Sequence, residues 1–138
     1  MIAWKSDLDP NELHTVLIIS NDAEMAMVWD ALFKQKNCYV LNETNPHAAL
    51  QSAHLLRPSL IVLHLDIPQD ELLSLCRKLR ASTDGTLLLL APAGDSQNVF
   101  DYYQAGVDEQ INTPISPMAL LIKSMAWLVK QEWTIPLT

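Results

Sequence analysis

Two side chains able to do chemistry stand close together at the end of an apolar run. In PSLIVLHLDIP, Pro58 to Pro68, His64 closes the run and Asp66 follows two residues later. A run of this kind often delivers a reactive carboxylate to the tip of a sheet, but here the tip residue is a histidine. An imidazole can carry a phosphoryl group or bind a metal, and a carboxylate can accept phosphate. Residues two apart on an extended chain share a face, about 6–7 Å apart. Ser20, Asn21 and Asp22 form a second polar group, again after an apolar run, HTVLIIS. Each feature has a plainer use. A histidine with no second ligand in view is more often a hydrogen-bonded filler, and His14, His47 and His54 are dispersed. Asp22 caps the helix expected after it. Cys38 and Cys76 lack metal or redox spacing and sit among apolar residues, as buried reduced thiols do.

The elements that must position these groups alternate strand and helix five times. Residues 14–20 form a strand, with Asn21 or Asp22 capping a helix over 23–36 that turns Met25, Val28, Trp29, Leu32 and Phe33 inward. CYVLN (38–42) is a second strand. Asn45-Pro46 starts a helix with Ala49, Leu50, Ala53 and Leu56 on one face, and Arg57-Pro58 ends it. A third strand covers 59–64, and a helix from Gln69 to Arg80 buries Leu72, Leu75, Cys76 and Leu79. Asp84-Gly85 turns the chain into a fourth strand, 86–91. Asp95 or Ser96 caps a fourth helix, which Gly106 closes. VDEQIN (107–112) is the fifth strand, and Ser116-Pro117 opens a fifth helix. The third and fourth strands are apolar on both faces and belong inside a parallel sheet. This pattern predicts a doubly wound, flavodoxin-like α/β domain of three layers, five parallel strands and five helices. Residues 20–22, 64–68, 91–94 and 112–114 then share the carboxyl rim, where such sheets carry their sites.

The bulk numbers agree with one domain. The chain has 138 residues, 49% hydrophobic and 18% charged, with 16 acidic and 9 basic residues giving a formal charge of −7. That sign disfavours direct binding of nucleic acid or an anionic membrane. The one basic cluster, Arg77-Lys78 with Arg80, reads as a solvated helix face. No apolar run approaches the roughly 20 residues of a membrane span, and no signal peptide opens the sequence. The expected location is the cytoplasm. The expected division is an N-terminal extension (1–13), the domain proper (14–130) and a C-terminal tail or linker (131–138).

Over about Thr15 to Lys130 the chain resembles a response-regulator receiver (CheY-like) domain. VLIISND resembles the first strand and its acidic cluster, RPSLIVLHLDIP the third strand, LLLLAPAGD the fourth with its loop, and AGVDEQINTPISP the fifth strand and the segment opening helix five. The resemblance implies an Asp that accepts phosphate, two acids holding Mg²⁺, a Ser or Thr sensing the phosphate and a Lys neutralising charge. Residue by residue, the acid pair falls on Ser20 and Asn21 and the acceptor on His64. The Ser/Thr falls on Ala91, the Lys on Thr113, and the aromatic of strand five on Gln110. All of these positions depart from the pattern. The resemblance therefore implies the fold and a binding role without phosphotransfer: a pseudo-receiver, not an enzyme, whose degenerate pocket comprises Ser20, Asn21, Asp22, His64, Asp66, Ala91, Thr113 and Pro114. With so few charges the rim needs no metal or cofactor. The same match implies a cis Thr113-Pro114 bond.

The resemblance also implies where a partner, or a second copy of the chain, docks: the face of helix four, strand five and helix five. Phe100, Tyr103, Gln110, Leu120, Lys123 and Trp127 are its candidates. Along PMALLIKSMAWLVKQEW, Leu121, Met125 and Leu128 can point in while Leu120, Lys123 and Trp127 point out, or the phase is the opposite one. Tyr102, Phe100 and Tyr103 either complete the core or anchor a partner, and Trp133 and Pro136 either cover this face or begin a linker. The function expected is a phosphorylation-independent interaction or dimerisation module in bacterial signalling. Two other readings are a receiver that accepts phosphate on Asp66 and a small-molecule binder at the vacated rim. Against the last, the loop SNDAEM has no Gly to cradle a phosphate.

Overall fold

The computed structural model describes residues 14–92 and 99–133, with side chains up to Gln131. Five strands, β1 (Thr15–Ser20), β2 (Tyr39–Glu43), β3 (Leu60–His64), β4 (Thr86–Pro92) and β5 (Glu109–Thr113), alternate with α1 (Ala23–Gln35), α2 (Pro46–Leu56), α3 (Gln69–Ser82), α4 (Val99–Gln104) and α5 (Pro117–Trp133). All neighbouring strands pair in parallel, in the order β2-β1-β3-β4-β5. The order reverses between β1 and β3, and the rim outside that reversal is where a site belongs.

The strand period of two divides the apolar residues between two cores. Leu17, Ile19, Ile61, Leu63, Leu87 and Leu89 pack with Ala49, Ala53, Leu72, Leu75, Cys76, Leu79 and Tyr102, which places α2, α3 and α4 on one face. Val16, Ile18, Leu60, Val62, Leu88 and Leu90 pack with Trp29, Phe33, Leu120, Leu121 and Leu128 of α1 and α5 on the other. Capping follows the side chains present. Asp22 Oδ1 accepts from Met25 N at 3.1 Å and Asn45 Oδ1 from Ala48 N at 2.8 Å, with Pro46 next in the helix. Arg57 ends α2 in the left-handed region, and Gly106, at φ 108°, follows α4. The capping expected from Asp95 or Ser96 lies outside the described residues, as do residues 1–13 and Pro136.

The turn into β4 is held at the opposite end of the sheet from the rim. A Cβ on Gly85 would stand 2.2 Å from Pro58 O, so only glycine fits there. Arg80 closes the same corner. Its Nη1 donates to Gly106 O (2.9 Å) and Asp108 Oδ2 (3.0 Å), and its Nη2 donates to Thr83 O (3.1 Å) and to Gly85 O. Arg80 is thus no solvated face residue: its fork joins α3, the β4 turn and the loop before β5, while Arg77 and Lys78 remain exposed.

Five further expectations change. Val28 is exposed because the buried arc of α1 is centred on Trp29 and Phe33, with Val28 off to one side. Leu56 is exposed because α2 is already unwinding through Arg57. Strand five starts at Glu109, not Val107, because Asp108 is turned to accept from Leu87 N at 2.8 Å as well as from Arg80. Leu120 is fully buried and leaves the set of candidate interface residues. The sheet-facing line of α5 is Leu120, Ser124 and Leu128, with Leu121 beside it and Met125 only partly covered. The helix also runs on to Trp133, beyond the boundary expected at 130.

Candidate functional site

Ser20 and His64 are register partners at the ends of β1 and β3, so strand pairing alone brings them together. Ser20 is buried, and its Oγ accepts from Asp22 N at 3.0 Å. The same Oγ lies 3.1 Å from His64 Nδ1 and 3.5 Å from Asp22 O. A serine hydroxyl has one proton to give, and the shorter contact goes to Nδ1. With Ser20 as donor, Nδ1 accepts and the ring proton sits on Nε2; with the proton on Nδ1, the ring donates to Ser20 Oγ and the hydroxyl turns to Asp22 O. Trp29 then packs on the imidazole in a T-shaped contact, ring centres 5.4 Å apart and planes at 73°.

Beside this pair lies an open depression of about 330 Å³ lined by Asp22, Met25, Trp29, His64, Thr113, Pro114 and Ile115. The Thr113-Pro114 bond is cis, as expected. Ala91 is buried within the sheet beside Asn112, and Asn21 is exposed. Asp66 is exposed and is not among the residues that line the depression. Met25 and Trp29 are lining residues that pattern reading assigned to the core alone. The available signal was their spacing: three and seven residues after Asp22 on a helix, they fall below the cap on one face. Among the described residues no group of three His, Cys, Asp or Glu side chains is arranged to hold a metal ion.

The electrostatics agree with the hydrogen bonding. Burial lowers the pKa of His64 from its ordinary 6.5, against the opposing pull of the Asp22 carboxylate. The folded state therefore resists a proton that the unfolded chain accepts. Stability from this group is complete above pH 6.5 and is lost as pH falls from there through the folded pKa. Urea unfolding from about pH 7.5 down to about pH 5 is expected to show a loss of stability that is smaller in His64→Gln than in the wild type. Equal slopes would mean that His64 is as easily protonated folded as unfolded. Elsewhere, burial pushes the Cys76 thiol up to about 12, ahead of the lowering by Arg77, and also raises Cys38. Both are buried free thiols.

The model of the response regulator receiver domain matches residues 16–124, and the chain belongs to that family. Among similar proteins, the DNA-binding response regulator MtrA of Mycobacterium tuberculosis H37Rv is 25% identical over 117 residues, 85% of this chain and 51% of MtrA. ResD of Bacillus subtilis, a transcriptional regulatory protein, is 21% identical over 127 residues, 92% of this chain and 53% of ResD. This chain thus spans about half the length of these relatives. A two-component response regulator from Clostridium difficile superposes with a TM-score of 0.77 at 19% identity, covering 86% of this chain and 98% of that one. The receiver domain of a Pseudomonas aeruginosa sensor histidine kinase, solved with magnesium coordinated in its active-site cleft, gives 0.69 at 18%, covering 84% and 98%. Receiver domains are in general non-enzymatic signalling modules that interact with other proteins of two-component systems. No helix among the described residues is long and apolar enough to cross a membrane.

Proposed function

We propose that this receiver works without phosphorylation, as a cytoplasmic protein-interaction module in two-component-like signalling, and catalyses no reaction. The observation that carries this reading is a histidine where the resemblance puts the acceptor: His64, its Nδ1 3.1 Å from Ser20 Oγ and its ring packed against Trp29. The Pseudomonas receiver holds magnesium in its cleft. Here the carboxylate lining the depression is that of Asp22, whose Oδ1 is engaged by the first turn of α1. With the one lining carboxylate engaged by the helix cap, Ser20, His64, Ala91 and Thr113 keep the rim in one arrangement. The body that does this runs from residue 14 to the end of α5, and its partner docks on the α4-β5-α5 face. Phe100 and Tyr103 are exposed there. Gln110 N donates to Tyr103 Oη at 3.2 Å and Lys123 borders the same side.

Incubating the chain with Mg²⁺ and acetyl phosphate is expected to leave its intact mass unchanged. A gain of about 80 Da, lost in Asp66→Asn, would overturn the proposal and establish a receiver phosphorylated at Asp66.

A further inference from the structure

At the end of the sheet where the strands begin, one corner carries apolar side chains that no described element covers. Tyr39 opens β2 and is 57% exposed, and Leu55 (79%) and Leu56 (39%) close α2. The strand period puts Tyr39 on the same face as Leu41, which packs against the core that holds Ala49 and Ala53 of α2. Leu56 follows Ala53 by one helical turn, so Tyr39 and the last turn of α2 share that face at the same end. Beside Tyr39 lies an open depression of about 510 Å³, lined also by Thr15, Asn37 and Cys38. Two cations border the corner. Lys36 ends α1 and Arg57 ends α2; both are exposed, and neither is in an ion pair among the described residues.

We infer that residues 1–13 of the same chain dock on this corner, Trp4 and Leu8 on its apolar surface and their acidic neighbours towards Lys36 and Arg57. Three observations select that occupant. The segment joins the body at the corner itself: it leads into His14, which is buried and whose carbonyl accepts from Tyr39 N at 3.1 Å. Its sequence, MIAWKSDLDPNEL, suits a return to the same place. Asp9-Pro10-Asn11 is a turn sequence, and the ten residues from Trp4 to His14 reach up to about 33 Å, far more than the strand spacing of about 5 Å that separates Thr15 from Tyr39. Its charge is complementary, with Asp7, Asp9 and Glu12 against Lys5 where the corner is basic. A second copy of the chain would bring a charge of −7, whereas a tethered segment is held at roughly millimolar effective concentration. Because β2 and β5 are opposite edges of the sheet, a segment docked here shields the free edge of β2 and leaves the α4-β5-α5 face open. The inference stands whether or not Asp66 accepts phosphate.

Paramagnetic relaxation in the full chain tests it. A nitroxide on Ser6→Cys, with Cys38 and Cys76 both buried, is expected to remove most of the amide signal of Tyr39 and of Leu55 to Arg57, while α4 and β5 keep theirs. Adding Trp4→Ser, which alters no described residue, is expected to restore the Leu55 to Arg57 signals by about threefold, and NaCl to restore them in part. Broadening that falls on another surface, or that Trp4→Ser leaves unchanged, overturns the inference. So does broadening of an isotope-labelled chain without the nitroxide by a spin-labelled one, which would give the corner to a second copy.

Discussion

Replacing Arg80 with alanine is expected to lower the free energy of unfolding by about 3 kcal/mol. The guanidinium serves three backbone carbonyls, of Thr83, Gly85 and Gly106, and one oxygen of Asp108. Removing it strands those acceptors in a corner closed by packing, because the stem of Arg80 lies against Gly106. The side chains of Arg80 and Asp108 are 29% and 33% exposed. Water relieves part of the loss, so the estimate stays below that for a fully buried ion pair. Arg80→Lys is expected to recover little, because an ammonium on a flexible stem cannot reproduce a fork reaching both sides of the corner. Guanidinium-chloride unfolding of both variants measures this. A cost under about 0.5 kcal/mol for the alanine variant would put Arg80 back among ordinary surface residues.

Trp29→Ala is expected to cost more, about 3–5 kcal/mol. The indole is almost wholly buried between the sheet and α5, among Val16, Ile18 and Val62. Trp29→Phe is expected to cost much less than loss of indole volume alone implies. The indole Nε1 is buried with no acceptor, so phenylalanine also removes an unsatisfied donor. The substitution also reaches the rim. Alanine uncovers the imidazole, so the His64 pKa should climb back towards 6.5. Urea unfolding and an NMR titration of His64 in the three proteins separate the two effects. An unchanged His64 titration in the alanine variant would show that Trp29 does not shield the ring.

The fold was legible because the apolar runs of β1, β3 and β4 have one reasonable burial, inside a parallel sheet, and because Asp22, Asn45-Pro46 and Gly106 punctuate the chain where their chemistry requires. The inward residues of α3 were legible for the same reason, an unbroken helical period. The phase of α5 was not. It is apolar almost all round, and its sheet-facing line includes Ser124, a buried hydroxyl with no hydrogen-bond partner, where pattern reading puts an aliphatic residue. Trp127 followed the same ambiguity. It is half-buried, and its Nε1 donates to Glu109 Oε1 at 2.8 Å. Burial pushes Glu109 up, but the hydrogen bonds from Trp127 and Lys123 outweigh it and leave that carboxyl below its usual range. Nothing local in the sequence announces a contact across 18 positions. At the rim, strand register put Ser20 and His64 together, as the alternating pattern required. The place of Asp66 depended on how the chain turns after β3, which periodicity does not encode.

The two buried thiols have a practical consequence. With Cys76 held up near 12 and Cys38 also raised, neither offers much thiolate to an alkylating reagent at neutral pH. A cysteine introduced on the surface would be the fast-reacting one, without first removing the native pair and opening holes in both cores. Spin labels or fluorophores placed singly on α4 or α5 would then report distances between molecules in the otherwise unaltered protein.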